Sequence, residues 1–195
     1  MHSLKDEEVM LKYKQGAVEA MDELLKRYKN PIYHFALRLT QDAAESQDIA
    51  QEVFLKLHQH RDDYEVLGKF STWLFSIAHN LCISRLRRKK WLCLWPRKDN
   101  EDDCLVDFTS PQLSPDEVAS NNEMSVLLKK SVQGLPFLQK EALILREYHN
   151  LDYQEISSIL KKSLGTVKTL IHRARLSLKK KLLPYVEETF GGIDV

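Results

Sequence analysis

The chain has 195 residues, 43% of them apolar, with six glycines, six prolines and a formal net charge of +1. That apolar content suffices for one large or two small cores, and abundant Leu, Lys, Glu, Gln and Ala favour helix. No alternating apolar–polar runs bounded by turns occur, which excludes a sheet protein.

The near-zero total hides segregated charge. From Lys129 to Leu183 there are twelve Lys/Arg against four Asp/Glu, whereas Asp99 to Glu117 holds seven Asp/Glu and no base. Such blocks mark partners or solvated segments. The start, MHSLKDEEVMLK, has acids where a signal peptide needs an apolar core, and no segment is apolar enough to span a bilayer. Cytoplasmic residence without stable membrane insertion is expected. Cys82, Cys93 and Cys104 are odd in number and lack C-x-x-C spacing. His79 and Cys82 are better read as a buried structural pair than as ligands, so no metal or cofactor is expected.

In chain order, Ser3 is expected to cap a first amphipathic helix ending near Gly16. The next segment places Ala17, Met21, Leu24, Leu25 and Tyr28 on one stripe. Pro31 is expected to interrupt it, and helix resumes with Ile32, Phe35, Ala36 and Leu39 inward. A long helix from about Ala43 to His60 has Ile49, Val53, Phe54 and Leu57 as its core face. Arg61 to Lys69 is polar with one Gly and reads as a loop. The helix from Phe70 to about Lys90 carries Trp73, Leu74, Ile77, Ala78, Leu81 and Leu86.

Residues 1–90 therefore form one helical domain. Residues 91–121, with Pro96, Pro111, Pro115 and the acidic block, form a linker. Helices resume at about Asn122 to Gln133 and Pro136 to His149. A helix-turn-helix completes a second domain over 122–184, and 185–195 are a short tail. The fold class is all-α, two helical domains joined by an extended acidic linker.

The helix-turn-helix lies in YQEISSILKKSLGTVKTLIHRARLSLKKKLL, Tyr153 to Leu183. A short helix carries Ile156, Ile159 and Leu160, and the connection falls at Lys161 and Lys162. Ser163 stands at an N-cap position. The second helix is expected to bury Leu164, Val167, Ile171 and Ala174. Lys168, Arg173, Arg175 and Lys179 to Lys181 can neutralise phosphates, while Thr166, Thr169 and His172 can reach base edges. Gly165 costs roughly 1 kcal/mol of helix stability against Ala. Close backbone approach to a ligand would compensate. A helical hairpin with a solvated basic face is the plainer alternative, and the capped turn with Gly165 favours DNA.

A second constellation is RLRRKKW, Arg85 to Trp91, five of whose seven residues are cationic. Upstream, Phe70, Trp73 and Phe75 interleave with Lys69, Thr72, His79 and Asn80. Aromatics beside cations suit single-stranded DNA, each base stack being worth about 1–3 kcal/mol. Phe75, Ile77 and Leu81 are read as core, and Trp73 stands evenly between core and stacking surface. On the preceding helix Asp48, Gln51, Glu52 and Leu55 share a face distinct from the core stripe. By residue chemistry alone it is a solvated face. Asp62–Asp63 and Asp102–Asp103 are adjacent loop pairs, a poor basis for a two-metal site, so an enzyme is not expected.

SQDIAQEVFLKLHQH, KFSTWLFSIAHNLCISRLRRKK and LPFLQKEALILREYHNLDYQEISSILKKSLGTVKTLIHRARLSLKKKL together resemble the extracytoplasmic-function group of bacterial sigma-70 factors. The resemblance covers about residues 17 to 90 and 122 to 183. It implies a promoter-specificity subunit of RNA polymerase without catalysis of its own, a monomer when free and a target for an anti-sigma factor. Asp48, Gln51, Glu52 and Leu55 would bind the β′ clamp helices of core polymerase. The segment from Asp63 to Arg88 would recognise and melt the −10 element of promoter DNA through Lys69, Phe70, Thr72, Trp73, Asn80, Arg85, Arg87 and Arg88. A flipped base would sit near Lys69, Phe70, Trp73 and Asn80. The second domain would pack on the β flap and read the −35 element through Ser163, Gly165, Thr166, Lys168, Thr169, His172, Arg173 and Arg175.

The linker would span a promoter separation on the order of 50 Å. A relaxed coil of its length covers about 30 Å and an extended one on the order of 100 Å, so partial extension fits. Its acids would mimic nucleic-acid charge inside the polymerase, although a solvated linker explains the composition equally well. Three departures from the family pattern stand out. Lys161 occupies a frequent Gly position in the turn, and Leu170 a frequent Arg position. The third is the apolar run Trp91 to Trp95, WLCLW, which would pack on a domain before contacting an anti-sigma protein or a membrane. The runner-up function is a freestanding helix-turn-helix repressor or activator.

Overall fold

The computed structural model describes residues 4–93 and 123–190, with side chains over 4–88 and 124–185. Ser3, the acidic block, Cys104 and the linker prolines lie outside the described residues, as do the side chains of the Trp91–Trp95 run. All regular elements among the described residues are α-helices. They are α1 (Asp6–Lys14), α2 (Val18–Thr40), α3 (Ala43–Gln59), α4 (Phe70–Cys93), α5 (Glu123–Gln133), α6 (Phe137–Glu147), α7 (Tyr153–Leu160) and α8 (Leu164–Phe190). The chain divides into two compact units. The first holds α1 to α4 together with residues 154–161, and the second holds α5, α6 and α8.

In the first unit α2 lies against α1, α3 and α4, and α3 against α4. Leu24, Ile32, Phe35 and Leu39 of α2 are buried, as are Ile49, Val53 and Leu57 of α3 and Leu74 and Ala78 of α4. Phe35 meets Phe75 edge-on, with ring centroids 5.4 Å apart. Asp42 caps α3, accepting from the Glu45 amide at 3.0 Å. Gln41 ends α2 in the left-handed region and returns its own amide side chain to the carbonyls of Leu37 and Arg38.

Four expectations need correction. α1 begins at Asp6 with Lys5 at its N-cap position, where the Lys5 amide donates to Glu8, so the start lies later than a Ser3 cap implies. Gly16, at φ +97°, closes that helix in the conformation glycine favours. Pro31 does not interrupt α2, and Pro184 lies inside α8, which continues through six residues assigned to the tail. A mid-helix proline costs about 3 kcal/mol. In α2 the burial of Leu24 on one side of Pro31 and of Ile32, Phe35 and Leu39 on the other offsets that cost. α4 likewise runs to Cys93, three residues into the expected linker. Cys82 is fully buried and His79 half-buried.

In the second unit α8 lies on α5 and α6. Val132, Leu135, Leu143 and Ala174 form its core, with Leu178 packed against them. Lys140 of α6 is buried among these helices, its Nζ 3.2 Å from Gln133 Oε1 and 6.0 Å from the Phe137 ring centre. Burial pushes its pKa down from 10.5 to about 8, and neighbouring Glu141 only partly opposes this. Between those values the unfolded chain binds more protons than the folded one, so this contribution to stability rises with pH. Lys140→Met should raise the melting temperature at pH 7, and the gap to the native chain should narrow by pH 10. Thermal unfolding of the full chain followed by circular dichroism across that range checks it.

Candidate nucleic-acid interface

The apolar stripe of α4 faces the first unit's interior and turns a polar and aromatic edge outward. Trp73 is half-buried, 5.1 Å from the Tyr64 ring at 60° and 5.9 Å from Phe70 at 50°. Phe70, grouped with Trp73 by sequence, has no exposed surface. It lies among Tyr28, Tyr64 and Trp73, so it supports the tryptophan and offers no face to a base.

Asn80, Arg87 and Arg88 are exposed. Lys69 is exposed as well, with Nζ 3.2 Å from Glu155 Oε1. Half-buried Thr72 donates to the same carboxylate at 3.0 Å. Asp48, Gln51 and Leu55 project from α3 into solvent. Glu52 accepts from Arg85 Nη2 at 2.9 Å, so this residue of the α4 strip is tied to the α3 face.

The loop between α3 and α4 contributes residues that sequence reasoning left out. Tyr64 is buried, and its hydroxyl has no hydrogen-bond partner. Burial, reinforced by the charges of Glu7 and Asp6, pushes that phenol up to about 12. Val66 and Leu67 stand out at the loop tip, Leu67 at 89% exposure. Two adjacent apolar residues in a polar loop were the available cue.

α7 gives way to α8 through a turn at Lys161, whose φ of 52° lies in the left-handed region. The Ser163 hydroxyl accepts from the Thr166 amide at 3.2 Å and caps α8. It also meets the Thr166 hydroxyl at 2.8 Å. Val167, Ile171 and Ala174 are buried. Leu164, expected among them, is 37% exposed, because it occupies the first turn before the buried stripe begins.

Gly165, Thr166, Lys168, Thr169, His172, Arg173 and Arg175 are all exposed. Thr169 donates back to the Gly165 carbonyl at 2.9 Å, and Arg175 is held to Glu147 of α6 by two hydrogen bonds. A Cβ on Gly165 would come within 4.0 Å of the Ser163 hydroxyl alone, so nothing in the fold demands glycine there. Among the described residues no group of three or more His, Cys, Asp and Glu could hold a metal ion. No described helix is long and apolar enough to cross a membrane.

Comparison with known proteins places this pair of units. The family model for Sigma-70 region 2 matches residues 24–92, and that for Sigma-70, region 4 matches residues 125–178. In this order on one chain they define a sigma-70-type protein. The ECF RNA polymerase sigma factor SigW of Bacillus subtilis is 32% identical over 172 residues, covering 87% of this chain and 92% of the relative. The RNA polymerase sigma-H factor of Pseudomonas aeruginosa is 30% identical, covering 94% and 97%.

Two solved structures share the fold. The sigma factor RpoE in complex with the anti-sigma factor NepR, from Bartonella quintana, has a TM-score of 0.69 at 24% identity, covering 85% of this chain and 98% of that one. CnrH in complex with the cytosolic domain of CnrY has a TM-score of 0.66 at 20% identity, covering 92% and 97%. The chain belongs to the extracytoplasmic-function sigma factors of the sigma-70 family. It is an alternative sigma factor directing promoter-specific transcription, and the freestanding repressor or activator is not favoured.

The left-handed turn residue yields a stability prediction. A non-glycine residue in this region costs roughly 1–2 kcal/mol. Lys161→Gly should therefore stabilise the chain by about 1 kcal/mol, read as a higher urea midpoint at unchanged slope.

Proposed function

We propose that this sigma factor works in the cytoplasm as a dissociable subunit with no catalysis of its own. The α3 face of Asp48, Gln51, Glu52 and Leu55 docks on the β′ clamp helices of core polymerase. The second domain, residues 122–184, docks on the β flap. Trp73, with Lys69 and Thr72 beside it and Asn80, Arg87 and Arg88 further along α4, takes the opened −10 strand. Stacking and phosphate contacts supply the binding energy for strand opening. The first half of α8, from Ser163 to Arg175, enters the groove at the −35 element. Residues 91–121 join the two, their acids standing in for nucleic-acid charge within the polymerase.

An anti-sigma protein that covers these faces is the fitting regulator. RpoE, of like fold, was solved in complex with the anti-sigma factor NepR, and CnrH in complex with the cytosolic domain of CnrY.

The observation that carries this reading is α8 itself. Its buried stripe is Val167, Ile171 and Ala174, and beyond the Ser163 cap Thr166, Lys168, Thr169, His172, Arg173 and Arg175 are exposed, polar or cationic. Gly165 sharpens the point. Alanine would fit and would stabilise the helix by roughly 1 kcal/mol, so the glycine serves a backbone approach rather than the fold. Gly165→Ala should raise the melting temperature yet weaken binding to −35 duplex. Equal or tighter duplex binding by the stabilised variant would remove this role.

Core-polymerase pull-down followed by promoter-dependent run-off transcription tests the whole proposal, and absence of polymerase binding would overturn it. Within the holoenzyme, Lys168→Ala should weaken −35 binding and flatten its log–log salt dependence by about one unit. Trp73→Ala should spare that binding and reduce permanganate reactivity of promoter thymines. Unchanged thymine reactivity would remove Trp73 from strand opening.

A further inference from the structure

α1 lies before residue 24, where the Sigma-70 region 2 match begins, and the assignments above leave it without a role. It nevertheless holds the α3–α4 loop at both ends. At the near end, Tyr13 Oη is 2.5 Å from His58 Nδ1, and the Arg61 guanidinium lies 5.9 Å from the centre of the Tyr13 ring. In the middle, Lys14 Nζ donates to the Tyr64 carbonyl at 2.9 Å. At the far end, Glu7 Oε1 accepts from the Phe70 amide at 2.7 Å, across 63 residues of sequence.

That last bond does what a local cap would otherwise do. Lys69, just before α4, has no side-chain acceptor to offer the first amides, and a carboxylate at a helix N-terminus also gains from the macrodipole. The base of the clamp is braced in turn. Asp6 accepts from Tyr28 Oη and from Arg27, and the Arg27 Nε also binds Glu23. The Tyr28 ring then meets Phe70 edge-on at 5.3 Å. Between the anchored ends Tyr64 is buried, while Asp62, Asp63 and the tip from Glu65 to Lys69 are exposed.

We propose that α1 is a clamp that fixes the α3–α4 loop and the first turn of α4 in the arrangement presenting Trp73, with Glu7 and Lys14 as its positioning residues. The inference rests on the −10 role proposed for Trp73. Without the clamp, ordering the loop would draw on the energy of strand capture, and opening would slow while other contacts persisted.

The test uses the full chain, free and as holoenzyme on a promoter selected by the native protein. Glu7→Ala and Lys14→Met should each speed amide exchange at Phe70 to Trp73 about tenfold and slow promoter opening about fivefold. Binding to core polymerase and to −35 duplex should stay unchanged. Glu7→Gln keeps an acceptor for the Phe70 amide and should restore most of the opening rate. Native exchange and opening rates in both variants, or loss of core affinity in step with opening, would overturn the clamp. If Glu7→Ala fails to fold, Lys14→Met decides by the same readouts. Trp73→Ala runs alongside. If it opens the promoter normally, the −10 reading fails, while amide exchange still decides whether α1 holds the loop.

Discussion

Val167, Ile171 and Ala174 recur at helical spacing along α8, and burying them settles which way every other side chain on that helix must point. α4 obeys the same constraint through Phe70, Leu74, Ala78 and Leu81. Hydrophobic burial contributes about 25 cal/mol per Å² and has no direction of its own. Seating one stripe nevertheless assigns the opposite edge to solvent, and there stand Trp73 and Asn80 on one helix and Lys168, Thr169 and His172 on the other. The faces proposed to read DNA are thus the complements of two small cores.

Charge works on a second level. Several cations are spent at joints within the units: Arg27 between Asp6 and Glu23, Arg85 on Glu52, and Arg175 on Glu147. The Arg85–Glu52 and Arg175–Glu147 pairs are substantially exposed and contribute little to stability. They matter more for aim. Arg85 ties the α3 face to the α4 strip, so the surfaces proposed for polymerase and for DNA share a bond. A protein of net charge +1 can still bind a polyanion, because its exposed cations gather on particular helix faces.

The helices were legible because their apolar periods are strong, and the buried positions of α3 fell where the pattern put them. Pro31 misled, since a local rule prices the missing amide but not the burial on either side of it. Phe70 and Trp73 look equivalent three residues apart, yet one is sealed and the other half-open. The difference is made by Tyr28 and Tyr64, which reach them from other parts of the chain. Leu164 likewise carries the right residue type one turn too early to be buried.

By itself the sequence determined the all-α class, the capped turn at Ser163 and the family, because each is written in local spacing or in runs of neighbouring residues. Tertiary structure alone decided that Glu7 caps a helix 63 residues away, that Lys14 holds the Tyr64 carbonyl, and that Arg85 turns toward Glu52. Hydrogen bonds and ion pairs form between groups brought within about 3 Å. Across such separations in sequence, only the packing of helices against a shared core sets that distance.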